Sequence, residues 1–294
     1  KISSKKISIS IVIPCYNEAD GVADSLKEIG KALRELNDVE IIAINDGSTD
    51  KTPAILDDCT NHTPEMHVIH NDPNLGYGAS LKRGIRKAKG EIIVITDADG
   101  TYPASAIPKL LEELNDSDMS VGARIGRKVQ VPLLRRPAKW ALLHYARWMA
   151  QADIKDLNSG LRAFRKKDVL RFFPLLPDGF SFTSTITLAM HVNGMRVSYF
   201  PINYRKRIGK SSIRPIRDTL AFFSLVLRTT MYFRPLQVFG TLSGLILGSA
   251  LAVGILGKTF LGEVPDVATV SLVSTSLIFL GLGLIGDLLN VSRK

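Results

Sequence analysis

The N-terminal part of the chain alternates between short β-branched runs and amphipathic stretches. Four apolar runs predict strands, at Ile7–Ile13, Val39–Ile44, Met66–Ile69 and Glu91–Thr96. Between the first two runs, apolar residues recur every three or four positions from Val22 to Leu36, which is the spacing of one helix face. A second helix is predicted through Leu81, Ile85 and Ala88. This alternation predicts an α/β domain with a mostly parallel sheet and helices on both faces.

The C-terminal part differs, because two long stretches carry no charge. Leu236–Leu256 is a run of 21 such residues, and Val267–Gly286 is a run of 20. As a helix, each would span about 30 Å, the thickness of a hydrocarbon core. Two buried core helices are the alternative, but the short connector favours a transmembrane hairpin of about 236–256 and 267–287. Glycines and serines from Gly240 to Ser249 would let the two helices approach closely.

Composition and charge narrow the function classes. Of 294 residues, 45% are apolar, which excludes a disordered chain, and two cysteines are too few for a disulfide scaffold. The net charge of +10 is unevenly distributed: residues 1–122 carry −7, and residues 123–235 carry +17. A basic block of this size requires an anionic partner, for which phosphates, nucleic acid and acidic lipid are candidates.

Two further stretches mix basic side chains with tryptophan or phenylalanine, at Pro132–Ala152 and Arg214–Arg234. That mixture is typical of helices at the headgroup boundary of anionic lipid, although packing against a globular domain is the alternative. We therefore expect a domain over 1–213 with an interfacial helix at about 132–152, a juxtamembrane helix at 214–234 and the hairpin at 235–294. The N-terminal residues lack the apolar region of a signal peptide, and the basic block should mark the cytoplasm. Residues 1–235 are therefore expected to be cytoplasmic.

Polar clusters follow three of the predicted strands, at Pro14–Glu18, Asn45–Asp50 and Thr96–Gly100. Parallel sheets bind ligands at the carboxyl ends of their strands. Asp97 and Asp99 are hard oxygen ligands that can hold Mg²⁺ or Mn²⁺ beside a diphosphate, although such a pair alone is also typical of a loop or helix cap. The 45–50 cluster equally suits a turn followed by a helix N-cap.

Taken together, the motifs resemble those of family 2 glycosyltransferases with a GT-A fold. They are Val12–Glu18 (VIPCYNE), Asn45–Asp50 (NDGSTD), Asn74–Gly76 (NLG), Asp97–Gly100 (DADG), Gly122–Arg124 (GAR), Asp156–Arg162 (DLNSGLR) and Tyr204–Ser211 (YRKRIGKS). With the C-terminal hairpin, the resemblance covers nearly the whole chain. It is greatest to the polyisoprenyl-phosphate branch, which includes dolichol-phosphate mannose synthases and bacterial undecaprenyl-phosphate sugar transferases.

The resemblance implies a role for each matching residue. The nucleotide-sugar pocket would be lined by Pro14, Tyr16, Glu18, Ile44, Asp46 and Ala98. Asp97 and Asp99 would hold Mg²⁺ or Mn²⁺, with Thr101 at the position where the family often has a glutamine that contacts the metal. The basic residues that would meet phosphates are Arg124, Lys206, Arg207 and Lys210. Asp97, Asp99, Asp156 and Arg207 are the implied catalytic residues.

The resemblance also implies the reaction, a metal-dependent, inverting transfer of sugar from a GDP- or UDP-sugar to a polyisoprenyl phosphate. A lipid monophosphate is already nucleophilic at pH 7, since its second pKa is about 6, so a general base is not required. Asp156 would either act like a base or hold neighbouring groups. The open alternatives are a lipid-hydroxyl acceptor, a processive polysaccharide synthase and a non-catalytic membrane scaffold.

The expected partners follow from the same reading. They are the nucleotide-sugar, the polyisoprenyl phosphate and an anionic membrane surface, with no nucleic acid. A homo-oligomer through the hairpin is a further possibility. The expected location is the plasma membrane of a prokaryote or the endoplasmic reticulum of a eukaryote.

Overall fold

The computed structural model describes residues 8–125, 143–144, 146–148, 150–179, 181–205, 227, 231–260 and 262–291. Contacts divide the chain into two compact units, Lys1–Phe222 and Phe223–Lys294. Most of the two predicted membrane-surface helices, Pro132–Ala152 and Arg214–Arg234, lies outside the described residues. The boundary predicted at residue 213 also falls outside them, so the domain limits stay a prediction.

The first unit is built on a seven-stranded mixed sheet. Its strands are β1 Ile9–Cys15, β2 Val39–Asp46, β3 Met66–Asn71, β4 Ile92–Ile95, β5 Met119–Ala123, β6 Arg162–Arg165 and β7 Val197–Pro201. They lie in the order β3-β2-β1-β4-β6-β5-β7. All neighbouring pairs are parallel except those of β6, which runs antiparallel to both β4 and β5. The mostly parallel sheet predicted from the sequence is confirmed.

Helices cover both faces of this sheet, because successive strand residues point to opposite sides. The helices are α1 Val22–Ala32, α2 Thr52–His62, α3 Tyr77–Lys87, α4 Ile107–Glu113, α5 Lys166–Leu170 and α6 Phe182–Val192. Ile11 and Ile13 of β1 share a buried cluster with α1. On the other face, α3 packs so closely that a Cβ on Gly84 would lie 2.6 Å from Val12 and 2.8 Å from Ile44.

Strands β2 and β3 extend two residues further than their apolar runs predict. In the extensions, Asn45 pairs with His70, and Asp46 pairs with Asn71. The side chains of each pair are hydrogen-bonded, at 3.0 Å between Asn45 Nδ2 and His70 Nδ1 and at 2.8 Å from Asn71 Nδ2 to Asp46 Oδ1. Polar cross-strand pairs thus continue the sheet beyond its apolar part.

The second unit contains two long apolar helices, α7 Pro235–Phe260 and α8 Asp266–Val291. Both have a mean hydropathy of 2.0 and are long enough to cross a membrane, so they could form the predicted transmembrane hairpin. The hydroxyls of Ser243 and Ser276 donate to each other's backbone carbonyls at 2.9 and 3.0 Å, which joins the helices.

The close approaches in the hairpin agree only in part with those predicted, because Ser243 of the predicted run meets Ser276 of α8 and the glycines of that run do not. Gly240, Gly244 and Gly248 have no neighbour within 4 Å of an added Cβ, because they face away from the partner helix. At Gly283, by contrast, a Cβ would lie 3.0 Å from Phe239. Within the predicted run of α7 the close contact is therefore made by Ser243, and on α8 the close approach is at Gly283.

Candidate functional site

A cleft of about 300 Å³ opens at the carboxyl ends of β1, β2 and β4. Its lining residues are Pro14, Cys15, Tyr16, Glu18, Asp46, Asn74, Gly76, Tyr77, Asp97, Ala98, Asp99 and Gly179. Seven of the residues predicted for the nucleotide-sugar and metal are therefore brought together. Ile44 is not, because its side chain is fully buried within β2 against α3.

The rim of the cleft is formed by two loops that hydrogen-bond to each other. The Asn17 N–H donates to Ser48 Oγ at 3.0 Å, and Asn17 Oδ1 accepts the Thr49 N–H at 2.8 Å. Asn17 has a φ of 54°, a left-handed conformation that asparagine tolerates better than most residues. Asp50 accepts the N–H groups of Thr52 and Ala19. The rim is thus held in place by contacts between the predicted clusters themselves.

The two aspartates of the 45–50 cluster have different surroundings. Burial would raise the pKa of Asp50, but its hydrogen bonds, those from Thr52 foremost, lower it. Asp50 therefore accepts a backbone hydrogen bond at the start of α2. Asp46, in contrast, lines the cleft.

The Asp46 carboxylate is buried and also shapes the neighbouring turn. It accepts the N–H of Leu75 and that of Gly76, both at 2.9 Å, besides the Asn71 amide. A carboxylate has about four acceptor positions, so one remains for a ligand. Gly76 has a φ of 99°, which favours glycine. A contact of Asp46 with the nucleotide-sugar stays a prediction, and the structure adds its role in holding the turn.

Asp97 and Asp99, which follow β4, are both oriented by their neighbours. The Tyr77 hydroxyl donates to Asp97 Oδ1 at 3.1 Å. Burial and the nearby Asp97 raise the pKa of Tyr77 well above its usual value, so the phenol stays protonated. Asp99 Oδ1 accepts the Thr101 hydroxyl at 2.6 Å and the Thr101 N–H at 3.1 Å. The two carboxylates are therefore held before any ligand binds.

These two carboxylates are the donors that could hold a divalent cation in the cleft. Within the residues that the structure describes, no group of three or more His, Cys, Asp or Glu side chains could hold a metal ion. Two hard oxygen donors at an open cleft suit Mg²⁺ or Mn²⁺ whose coordination is completed by a substrate phosphate. The structure does not bring Thr101 to the cleft, because that residue is fully buried and its hydroxyl donates to Asp99.

Asp156, which is buried, and Arg124, which is half-buried, form an ion pair. Arg124 Nε and Nη2 donate to the two carboxylate oxygens at 2.8 and 2.9 Å, and the backbone N–H groups of Arg124 and Asn158 donate at 2.9 and 3.1 Å. Burial alone would raise the pKa of Asp156, but Arg124 outweighs it and lowers the pKa to about 2. With about four acceptor positions filled, Asp156 holds neighbouring groups and is a poor proton acceptor.

An aromatic cluster connects this ion pair to Asp97. The Arg124 guanidinium lies 5.5 Å from the Tyr204 ring centre, and Tyr204 meets Tyr102 edge-on at 5.1 Å. The Tyr102 hydroxyl accepts the Gly160 N–H at 2.7 Å. Gly160 in turn lies against Asp97, since a Cβ there would be 2.6 Å from Asp97 Oδ2.

Three residues of the site, Tyr77, Gly160 and Gly179, were not predicted from the sequence. Tyr77 follows the NLG motif, and Gly160 is part of DLNSGLR, so the motifs pointed near both. Gly179 had no sequence signal. It reaches the cleft because the 177–179 segment packs on α3, where the Ala79 N–H donates to the Asp178 carbonyl at 2.9 Å.

Of the four predicted phosphate contacts, Arg124 pairs with Asp156 and does not line the cleft. The other three, Lys206, Arg207 and Lys210, lie outside the described residues. The two residues before them are described. The Arg205 N–H donates to the Thr101 carbonyl at 2.9 Å, and the Arg205 guanidinium pairs with Glu28 of α1 at 2.9 Å. Arg205 therefore lies beside Thr101, which is two positions after Asp99.

The sheet order and the cleft define a GT-A-like fold, and solved structures agree. Glucosyl-3-phosphoglycerate synthase of Mycobacterium tuberculosis, crystallised with Mn²⁺, UDP-glucose and phosphoglyceric acid, superposes with a TM-score of 0.58 over 76% of this chain and 80% of that chain. Its sequence identity is 18%, so this likeness concerns the fold alone.

The chain belongs to glycosyl transferase family 2, whose profile matches residues 10–173. It is 29% identical to an undecaprenyl-phosphate mannosyltransferase of Micrococcus luteus, over 69% of this chain and 86% of that protein. A dolichol-phosphate mannosyltransferase of Pyrococcus furiosus is 32% identical, over 62% of this chain and 53% of its own length. An undecaprenyl-phosphate 4-deoxy-4-formamido-L-arabinose transferase of Pseudomonas fluorescens is 29% identical, over 96% of this chain and 84% of that protein. The predicted family and enzyme class are confirmed.

Proposed function

We propose that this glycosyltransferase moves a sugar from a GDP- or UDP-sugar to a polyisoprenyl phosphate, with inversion at the anomeric carbon. A polyisoprenyl phosphate is the acceptor in the names of the three relatives. The two apolar helices could anchor the enzyme in the membrane, where such lipids lie. The reaction would occur at the cytoplasmic membrane face, with the basic 123–235 block against anionic lipid.

The observation that carries the choice of acceptor is the state of Asp156. A hydroxyl acceptor needs a base to take its proton. Asp156, which the sequence offered for that role, has a pKa lowered to about 2 and its acceptor positions filled by Arg124 and Asn158. A lipid phosphate brings its own negative charge and attacks without a base. The site therefore favours the phosphate over the hydroxyl.

The leaving group determines the proposed role of the aspartates. Asp97 and Asp99 would hold Mg²⁺ or Mn²⁺, and the cation would supply positive charge for the departing nucleoside diphosphate. Tyr77, Thr101 and Gly160 hold these carboxylates in orientation. The nucleotide would lie along Pro14, Tyr16, Glu18, Asp46 and Ala98, which line the same cleft. Lys206, Arg207 and Lys210 would meet the phosphates.

A product assay tests this function. The full chain in detergent is incubated with Mn²⁺, undecaprenyl or dolichyl phosphate and a panel of radiolabelled sugar nucleotides. We expect label from one donor in the organic phase, no label when EDTA is present, and a β-linked sugar phosphate by NMR. Absence of label with every donor, from a protein that binds nucleotide and Mn²⁺, would contradict the proposal.

Replacing Gly160 by alanine should lower the transfer rate about 100-fold, because a displacement of about 1 Å in a reacting group has an effect of that size. The added Cβ would lie 2.6 Å from Asp97 Oδ2 and so displace the carboxylate. Initial rates at saturating Mn²⁺ measure the loss. Gly30→Ala is the control, since no atom lies within 4 Å of its added Cβ. Equal rates for Gly160→Ala and the control would show that the Asp97 position is unimportant.

A further inference from the structure

Thr101 lies between the aspartate pair and the segment that leads into the basic motif. Its hydroxyl and N–H both donate to Asp99 Oδ1, at 2.6 and 3.1 Å. Its carbonyl accepts the Arg205 N–H at 2.9 Å. All three polar groups of Thr101 are thus used, and two of them act on one oxygen of Asp99.

The neighbouring residues repeat this connection with side chains. Tyr102 meets Tyr204 edge-on at 5.1 Å, so residues 101–102 and 204–205 are joined by a backbone hydrogen bond and an aromatic contact. Thr101 is fully buried, and Tyr102 is 5% exposed. Because Thr101 is buried and hydrogen-bonded to both segments, the position of the 204–205 segment influences the orientation of Asp99.

We propose that Thr101 is a positioning residue for Asp99 and not a metal ligand. It selects the orientation in which Asp99 meets the donor's cation, and the Tyr204–Arg205 segment holds Thr101 in place. This inference rests on the proposed function, because it assumes that Asp97 and Asp99 hold a divalent cation. It differs from the role that family resemblance implied for Thr101, which was direct contact with the metal.

Burial and hydrogen-bond direction together determine the role of Thr101. A hydroxyl that donates at 2.6 Å to a buried carboxylate fixes that carboxylate's rotation. Residues that hold a metal ligand in this manner typically contribute 10- to 100-fold to metal affinity or activity. To serve as a ligand itself, Thr101 would have to leave the interior, where it is fully buried and does not line the cleft.

The test measures Mn²⁺ binding in the presence of nucleotide, without acceptor, by electron paramagnetic resonance. Thr101→Val keeps the shape and removes the hydroxyl, so we expect about 10-fold weaker Mn²⁺ binding. Thr101→Ser should restore it. Tyr204→Leu should weaken binding in the same direction, and its effect should not add fully to that of Thr101→Val. Asp58→Asn, which changes an exposed carboxylate on α2, is the control and should bind as the parent does.

A thiophilic metal distinguishes a ligand from a positioning residue. Asp99→Cys places a thiol at a proposed ligand position and should shift preference from Mn²⁺ to Cd²⁺. Thr101→Cys should show no such shift. A Cd²⁺ preference in Thr101→Cys equal to that in Asp99→Cys, or parental Mn²⁺ binding in Thr101→Val, would overturn the inference. If the parent itself bound no Mn²⁺ with nucleotide, the proposed metal dependence would fail first and take this inference with it.

Discussion

Replacing Asp99 by asparagine is expected to lower the rate of sugar transfer by about three orders of magnitude. The change keeps the size of the side chain and removes a negative charge from a pair that would hold the donor's cation. Groups that stabilise charge in the transition state typically contribute 10²- to 10³-fold, and loss of a metal adds to this. Asp97→Asn should have an effect of similar size, because Asp97 lines the same cleft. Initial rates with the labelled donor measure both.

The controls for these variants separate charge from folding. Asp58 is an exposed carboxylate on α2, so Asp58→Asn should transfer sugar at the parental rate. The melting temperatures of Asp97→Asn and Asp99→Asn should lie close to that of the parent. A rate within tenfold of the parent for Asp99→Asn would show that Asp99 does not contribute to catalysis as proposed.

Asp156→Asn is expected to lower the free energy of unfolding by about 3 kcal/mol, since breaking one partner of a buried ion pair leaves the other charge uncompensated. Arg124 would lose its bidentate partner while its side chain stays 20% exposed. The double variant Arg124→Leu/Asp156→Asn should lose less stability than Asp156→Asn, because no unpaired charge remains and the amide oxygen can still accept a backbone N–H. Chemical denaturation of the full chain in detergent measures these differences.

The same ion pair predicts a dependence on pH. The pKa of Asp156 is about 2 in the folded state and about 3.9 in an unfolded chain. Its contribution of about 2.5 kcal/mol is therefore present above pH 4 and is lost as the pH falls through 2. The stability difference between the parent and Asp156→Asn should shrink over that window. A difference that stays constant from pH 6 to pH 2 would show that Asp156 is not held as an ionised partner.

Much of the fold follows from the sequence because its determinants are local. The strands β1 to β4 and the helices α1 and α3 appear where apolar periodicity predicts them. The sites after β1, β2 and β4 were predictable for the same reason, since parallel strands end at one edge of the sheet. The two apolar C-terminal helices followed from hydropathy alone.

The contacts that orient the site were not predictable, because each joins residues far apart in the chain. Asp97 and its hydrogen-bond partner Tyr77 are 20 positions apart in the sequence, and Arg124 and Asp156 are 32 positions apart. Gly160 lies beside Asp97 because the strand that follows it, β6, pairs with β4 in the antiparallel direction. No local sequence pattern predicts that pairing. The surroundings of Thr101 were not predictable either. Its position in a motif suggested a metal contact, whereas in the structure Thr101 is fully buried and its hydroxyl donates to Asp99.

The identity of the acceptor is the central claim, and a paired acceptor assay tests it most directly. Undecaprenyl phosphate and undecaprenol are offered at equal concentration, in the same detergent, with Mn²⁺ and the labelled donor found in the panel. Because the two lipids differ only in the phosphate, the account predicts label on undecaprenyl phosphate and none on undecaprenol. Label on undecaprenol, with none on undecaprenyl phosphate, would contradict the proposed acceptor.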